Sequence, residues 1–230
     1  MFTVTEAWRT AYPGASVGVL AMHDVANPAT HAALEARKAE LEADLRAHFA
    51  GYDRAALKAL STLQAYSAYY KRFNKTYHVQ HQLESVALKG RPIPSVAALV
   101  EAMFMAELKN QLLTAGHDMD ALDLPAGIYV AEGSECYVRL DGQEQQLKAG
   151  DMFIADAQGV MSSILYGPDR RTQIRPGTRR VLFTVYAPPG IEAAAVQQHL
   201  QDIQANVHLV TPEAQTELLS VFSADEESLP

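Results

Sequence analysis

The stretch from Tyr69 to Asp118 constrains this chain more than any other, because it joins a basic aromatic run, an apolar helix and a small-residue turn in one block. Pro94 and Ser95 open a helix that runs to about Asn110. Val96, Leu99, Val100, Met103, Phe104 and Leu108 give that helix a wide apolar face, which predicts a central core helix. Ala115-Gly116-His117-Asp118 then reads as a tight turn, whose small residues let the backbone approach a neighbouring chain or a ligand closely. Upstream, between Tyr70 and Arg91, Lys71, Arg72, Lys75, Lys89 and Arg91 stand against Glu84 alone. Tyr66, Tyr69, Tyr70, Phe73 and Tyr77 are interleaved with these cations. Basic side chains neutralise phosphates, and aromatic rings stack unpaired bases. The competing reading, which composition favours, puts the aromatics in the core and leaves the lysines merely solvated.

The flanking segments read as ordinary α+β texture. Ser16 to Met22 is a short apolar run after Pro13-Gly14 and predicts a buried strand. Asn27-Pro28 reads as the start of a helix reaching Ala50, with Leu34, Lys38, Leu41, Leu45 and Phe49 on one stripe, and a short helix follows Asp53. Beyond Pro125, strands are predicted near Ile128–Ala131, Glu135–Leu140, Met152–Ala155, Val160–Leu165 and Arg180–Tyr186, with hairpin chemistry at Asp141-Gly142. Ile191 to Ile203 predicts a helix, Val207 to Val210 a last edge strand, and the acidic tail from Ser223 should fray. The division expected is an N-terminal extension over 1–62, a main domain over 63–190 and a C-terminal segment over 191–230.

Composition excludes some classes and leaves others. A net charge of -8 gives no global argument for a nucleic-acid binder, and DNA is not an expected partner, but a local basic face remains compatible with RNA. The single cysteine, Cys136, rules out an internal disulfide and sits in a strand-like run where a small buried residue is expected. No apolar run approaches the roughly 20 residues of a membrane span, and the N-terminus lacks a secretory signal, so a cytoplasmic protein with no membrane partner is expected. His78 and His81 are three apart, but no carboxylate-rich motif joins them, so no metal is expected. A nucleophile turn and a phosphate-cradling glycine loop are both absent, and no cofactor is expected. His117 is the one candidate general base.

Three ordered blocks carry a family resemblance: LVEAMFMAELKNQLLTAGHDMDAL, LDGQEQQLKAGDMFIAD and QGVMSSILYGPDRRTQIRPGTRRVLF. Their order and spacing resemble the tRNA-binding and editing domain of the phenylalanyl-tRNA synthetase β subunit, and more closely free-standing proteins made of that domain alone. The resemblance spans about Tyr69 to Pro188. It implies an α+β, three-layer domain with mixed β-sheets and flanking helices. It also implies a substrate pocket at Met103, Phe104, Ala115, Gly116, His117, Asp118, Ser163 and Thr184. Several polar positions of the family's editing pocket fall here on Met103, Phe104, Ala115 and Thr184, while Asp118 matches the family's aspartate. The function implied is tRNA binding or the hydrolysis of a mischarged aminoacyl-tRNA, with tRNA or aminoacyl-tRNA as partner. Lys71, Arg72, Lys75, Arg170 and Arg171 would hold the tRNA. A module binding a free amino acid or small metabolite without catalysis is the alternative. The chain has no room for an aminoacylating core.

Overall fold

The computed structural model describes residues 1–225. Its helices are α1 (Glu6–Ala11), α2 (Ala32–His48), α3 (Arg54–Lys58), α4 (Ser61–Lys71), α5 (His78–Leu83), α6 (Ala98–Asn110) and α7 (Ala193–Val210). The first strands are β1 (Phe2–Val4), β2 (Ser16–His23), β3 (Leu113–Asp118), β4 (Ala126–Val130), β5 (Cys136–Val138) and β6 (Glu144–Gln146). They are followed by β7 (Met152–Asp156), β8 (Gly159–Ser163), β9 (Gly167–Pro168), β10 (Arg180–Ala187) and β11 (Gln215–Ser223). Four strands form an antiparallel sheet in the order β11-β2-β10-β3, and five form a mixed sheet in the order β1-β4-β7-β8-β9. β5 and β6 make a separate hairpin ribbon, whose turn uses Gly142 at φ +83°.

The pleat of β10 sorts the layers. Val185 lies opposite Gly18, where an added Cβ would come within 2.7 Å of Val196 on α7, so this face meets the helices. Successive strand residues point to opposite faces, and Tyr186 accordingly turns the other way, its hydroxyl donating to the Ser162 carbonyl oxygen on β8 at 2.9 Å. The protein is therefore an α+β molecule with flanking helices, a four-stranded sheet and a five-stranded sheet in succession. β2 comes from the segment 1–62, β3 and β10 from 63–190, and β11 from 191–230, so one sheet draws on all three predicted segments.

Several predicted elements change on folding. The Ala115-Gly116-His117-Asp118 turn is instead the body of β3, paired with β10 from Leu113↔Tyr186 to Asp118↔Val181. A long-range ladder outweighs the weak strand preference of glycine there. Val207 to Val210 is not an edge strand but the end of α7, whose buried stripe of Val196, Leu200, Ile203 and Val207 follows the helical period. The edge strand is β11, and Ser223 belongs to it rather than to a frayed tail. Asp225 Oδ1 accepts the Gly14 amide at 2.9 Å, while Glu226 and Glu227 lie outside the described residues. Asn27 does not cap α2. Its Oδ1 accepts the Leu99 amide at 2.9 Å, so it caps α6, which starts only at Ala98 and leaves Val96 exposed. Cys136 is exposed, because β5 turns Tyr137 inward and its two neighbours outward. Among the described residues no helix is long and apolar enough to cross a membrane.

Candidate nucleic-acid interface

The aromatic run is core. Tyr66, Tyr69, Tyr70 and Phe73 follow the i, i+3, i+4, i+7 spacing of one helical face, and all four are buried, as is Tyr77. Tyr66 and Tyr77 stack at 4.1 Å between centroids. The hydroxyls find backbone or carboxylate partners: Tyr70 donates to the Ile164 carbonyl at 2.5 Å and Tyr69 to Asp151 Oδ1 at 2.8 Å. Burying these rings inward pushes Gln64, Ser67, Ala68 and Lys71, which share the same spacing, to the opposite face of α4. There they line a groove of about 460 Å³.

The other walls of the groove are Arg54 and Lys58, one turn apart on α3, with Lys75, Thr76, Tyr77 and Gln80 at the start of α5. Four of the ten lining residues are cationic and none is acidic. Arg54 is held by Glu84, its Nε 3.1 Å from Oε1, and Lys75 Nζ sits 4.4 Å above the Tyr166 ring. Lys58 and Lys71 are exposed and have no ion-pair partner among the described residues. With no such partner there, they hold positive potential over a concave surface. Arg54 and Lys58 escaped the sequence reading because they lie more than ten residues before Lys71 and meet it only through the α3–α4 corner. The i, i+4 cation pair following the Asp53 cap was the available signal.

The remaining predicted RNA contacts do not join this groove. Arg72 lies over the rings of Tyr12, Phe73 and Tyr69, at 5.2, 5.6 and 5.7 Å. Arg171 forms a bidentate pair with Asp156 at 2.8 and 2.9 Å and also donates to the Ala121 carbonyl at 2.8 Å. It serves as an internal clamp. Arg170 is exposed next to the Gly142 turn.

The predicted substrate pocket is divided by a sheet. Gly116 faces α6, where an added Cβ would lie 2.7 Å from Ile174 Cδ1 and 3.0 Å from Met103 Sδ. By alternation Ala115 and His117 point to the opposite face, with Thr184 opposite Ala115 in register. Ala115, Gly116, His117, Ser163 and Thr184 are buried; Met103, Phe104 and Asp118 are half-buried. The Asp118 carboxylate accepts the Thr178 hydroxyl at 2.8 Å, and Thr184 donates to the Ala115 carbonyl at 3.4 Å. Because Ile174 and Met103 close over the strand, Gly116→Val is expected to cost about 1–3 kcal/mol by overpacking, read as a lower midpoint in urea unfolding.

His117 is 0% exposed, and burial, reinforced by the nearby Arg171 charge, lowers its pKa to about 3. Thr172 donates its hydroxyl to Asp169, so the 2.8 Å contact to His117 Nδ1 is a bond donated by the imidazole. Its Nε2 is then an unprotonated acceptor, buried without a partner among the described residues. A neutral imidazole in the core has no route to a substrate in solvent. Ser163 donates to the buried Asp151, whose other oxygen takes the Tyr69 hydroxyl; burial raises the Asp151 pKa to about 7. This trio ties α4 to β7 and β8.

Fold and groove together define an α+β protein with a groove on a helical corner whose described lining includes four cations. No protein-family model matches the chain, and no curated protein matches it. Among solved structures it is similar to an N-terminal fragment of the phenylalanyl-tRNA synthetase β subunit from Pyrococcus horikoshii, at 12% identity and a TM-score of 0.46. The similarity covers 95% of this chain and 54% of that fragment, so the chain spans about half the fragment's length.

Proposed function

We propose that this chain is a non-catalytic RNA-binding module that takes the phosphate backbone of a structured RNA, tRNA being the first to test. One observation carries the reading. In a chain of net charge -8, Arg54, Lys58, Lys71 and Lys75 converge on a groove lined by no carboxylate. Arg54 is paired with Glu84, but Lys58 and Lys71 have no ion-pair partner among the described residues, and a polyanion would take the place of the counterions they gather. The buried, neutral His117 and the divided pocket favour binding over aminoacyl-tRNA hydrolysis.

Lys58→Glu/Lys71→Glu is expected to weaken tRNA binding by roughly ten- to hundredfold at low salt and to lower the slope of log K against log salt by about 2. Both side chains are exposed, so the circular dichroism spectrum should not change. Filter binding between 50 and 200 mM salt reads both quantities, and an unchanged affinity and slope would remove the groove from RNA binding. A panel of mischarged tRNAs incubated with the protein should show no deacylation above buffer. Hydrolysis of any one of them would replace this reading with an enzymatic one.

A further inference from the structure

Sheet edges expose rows of amides and carbonyls that pair with other chains, and natural sheets shorten or cover them. Most edges of this fold follow that rule. β1 is three residues long and β9 two, and the ribbon strands β5 and β6 are three each. β3 is covered: the Asp118 amide donates to the Thr172 carbonyl at 2.7 Å, and the Thr114 amide to Glu107 Oε1 at 2.7 Å. β11 departs from the rule. It ends the four-stranded sheet, runs nine residues without a lysine or a proline, and carries one bulge, at Glu217. The Ala224 amide donates to the Ala15 carbonyl at 2.9 Å, which fixes the phase of the ladder to β2. In that phase Leu218, Ser220 and Phe222 turn their backbone groups to β2, while Leu219, Val221 and Ser223 turn theirs away. Arg9 Nη1 takes the outward Ser223 carbonyl at 2.7 Å. Among the described residues, nothing pairs with the amides and carbonyls of Leu219 and Val221.

We infer that β11 is a self-association edge: two copies of this chain pair their β11 strands antiparallel about a two-fold axis at Ser220, joining their sheets into one. The inference does not rest on the RNA reading. The occupant follows from the strand itself, because Leu218-Leu219-Ser220-Val221-Phe222 is close to a palindrome of side-chain character. With the axis at Ser220, each Leu219 faces Val221 of the second copy and each Leu218 faces Phe222. The two serines meet at the axis, where bulky side chains would crowd. Leu219 and Val221 then exchange both N–H···O bonds in each of two pairs, so about four new backbone bonds satisfy the groups left open. Leu218, Leu219, Val221 and Phe222 are half-buried, and Phe222 is held 5.5 Å from the Phe2 ring, so the apolar cross-strand pairs are set before association. Glu217 falls near Ser223 of the second copy, whose carbonyl holds the Arg9 guanidinium, so unlike charges meet at each end. A two-fold contact of this kind closes on itself and stops at the dimer.

The test uses the full chain without RNA, at a salt concentration that screens the net charge of -8 on each copy. Sedimentation equilibrium from about 1 to about 500 µM should show the mass rising from 25.1 kDa toward twice that value. Val221→Pro removes an amide that β2 does not use, a position where an edge strand tolerates proline. It should weaken the dimer about tenfold or more, two of the four new bonds being lost, with the circular dichroism spectrum unchanged. Two cysteine variants, each made with Cys136→Ser, read the register. Ser220→Cys places two thiols opposite each other at a non-hydrogen-bonded site, about 4.5 Å apart at Cα and within disulfide reach. Mild oxidation should give a disulfide dimer on a non-reducing gel, whereas Leu218→Cys, which faces Phe222, should give little. A mass of 25.1 kDa at every concentration, or self-association that a folded Val221→Pro leaves unchanged, overturns the proposal. Where the proline variant fails to fold, the cysteines decide alone: no cross-link at Ser220→Cys, or as much at Leu218→Cys, overturns it.

Discussion

Lys38→Met is expected to destabilise the protein by about 3–5 kcal/mol, because it strands a buried carboxylate. Lys38 sits in the apolar stripe of α2 and is 3% exposed. Its Nζ lies 2.8 Å from Glu101 Oε2, 2.7 Å from Glu35 Oε1 and 2.7 Å from Ser95 Oγ. Burial alone would pull the Lys38 pKa down, but the bonds to Glu101 and Glu35 outweigh it and the net shift is upward, so the ammonium stays charged. Glu101 is 2% exposed and without Lys38 would keep only the Val96 amide. For a chain of this size the loss corresponds to a fall in Tm on the order of 10 °C. Lys38→Met/Glu101→Gln should recover much of it, since the glutamine keeps an acceptor for Val96 and leaves no charge behind. Thermal unfolding of the two singles and the double reads the coupling. A loss under about 1 kcal/mol for Lys38→Met would show that water reaches Glu101 and that the pair is not sealed.

The parts of this architecture that were legible from residues alone are those where local pattern and tertiary fate agree. Ser16 to Met22 reads as a buried strand and is one, because every residue of β2 up to Met22 is buried and period hardly matters. The stripe Leu34, Lys38, Leu41, Leu45 reads as a helix face and is buried as such, lysine included. Where the two disagree, the reading fails in a consistent direction. Ala115-Gly116-His117-Asp118 carries turn chemistry, yet β10 supplies a ladder partner for every residue of it. Gly116 is there for closeness to Ile174 and Met103, a constraint no local pattern contains. Val207 to Val210 has strand composition, but α7 simply continues to Val210. The groove was half legible: Lys71 and Lys75 stood out by charge, whereas Arg54 and Lys58 join them only through the packing of α3 against α4. Placing His117 and Gly116 in one pocket ignored the pleat, which sends them to opposite faces.

The contribution of four buried groups to stability should be level between about pH 4.5 and 6.5 and fall on both sides, and a single substitution should abolish part of the alkaline fall. Glu107 is buried on α6, and desolvation raises its pKa from 4.5 to about 8 although it accepts the Thr114 amide at 2.7 Å. In the window between those values the folded chain keeps a proton that the unfolded chain releases, so stability is lost as pH rises through it. Asp151, raised from 3.8 to about 7, acts with the same sign. His117 and His199 act with the opposite sign: burial lowers them from 6.5 to about 3 and about 4, so the unfolded chain takes up protons first as pH falls below 6.5. Between 4.5 and 6.5 the two acids and the two histidines offset one another. Above pH 7 only Glu107 of these four still titrates. Glu107→Gln keeps an oxygen for Thr114 and carries no charge, so its Tm should stay level from pH 7 to 8 while that of the native chain falls. At pH 8 the variant should be the more stable by an amount on the order of 4 kcal/mol, and at pH 5 the two should nearly coincide. A Tm series in a low-salt buffer from pH 4 to 9 decides it. A native profile that is flat from pH 6.5 to 8, or a variant less stable than the native chain at pH 8, would mean that Glu107 is ionised and solvated in the fold rather than protonated between α6 and β3.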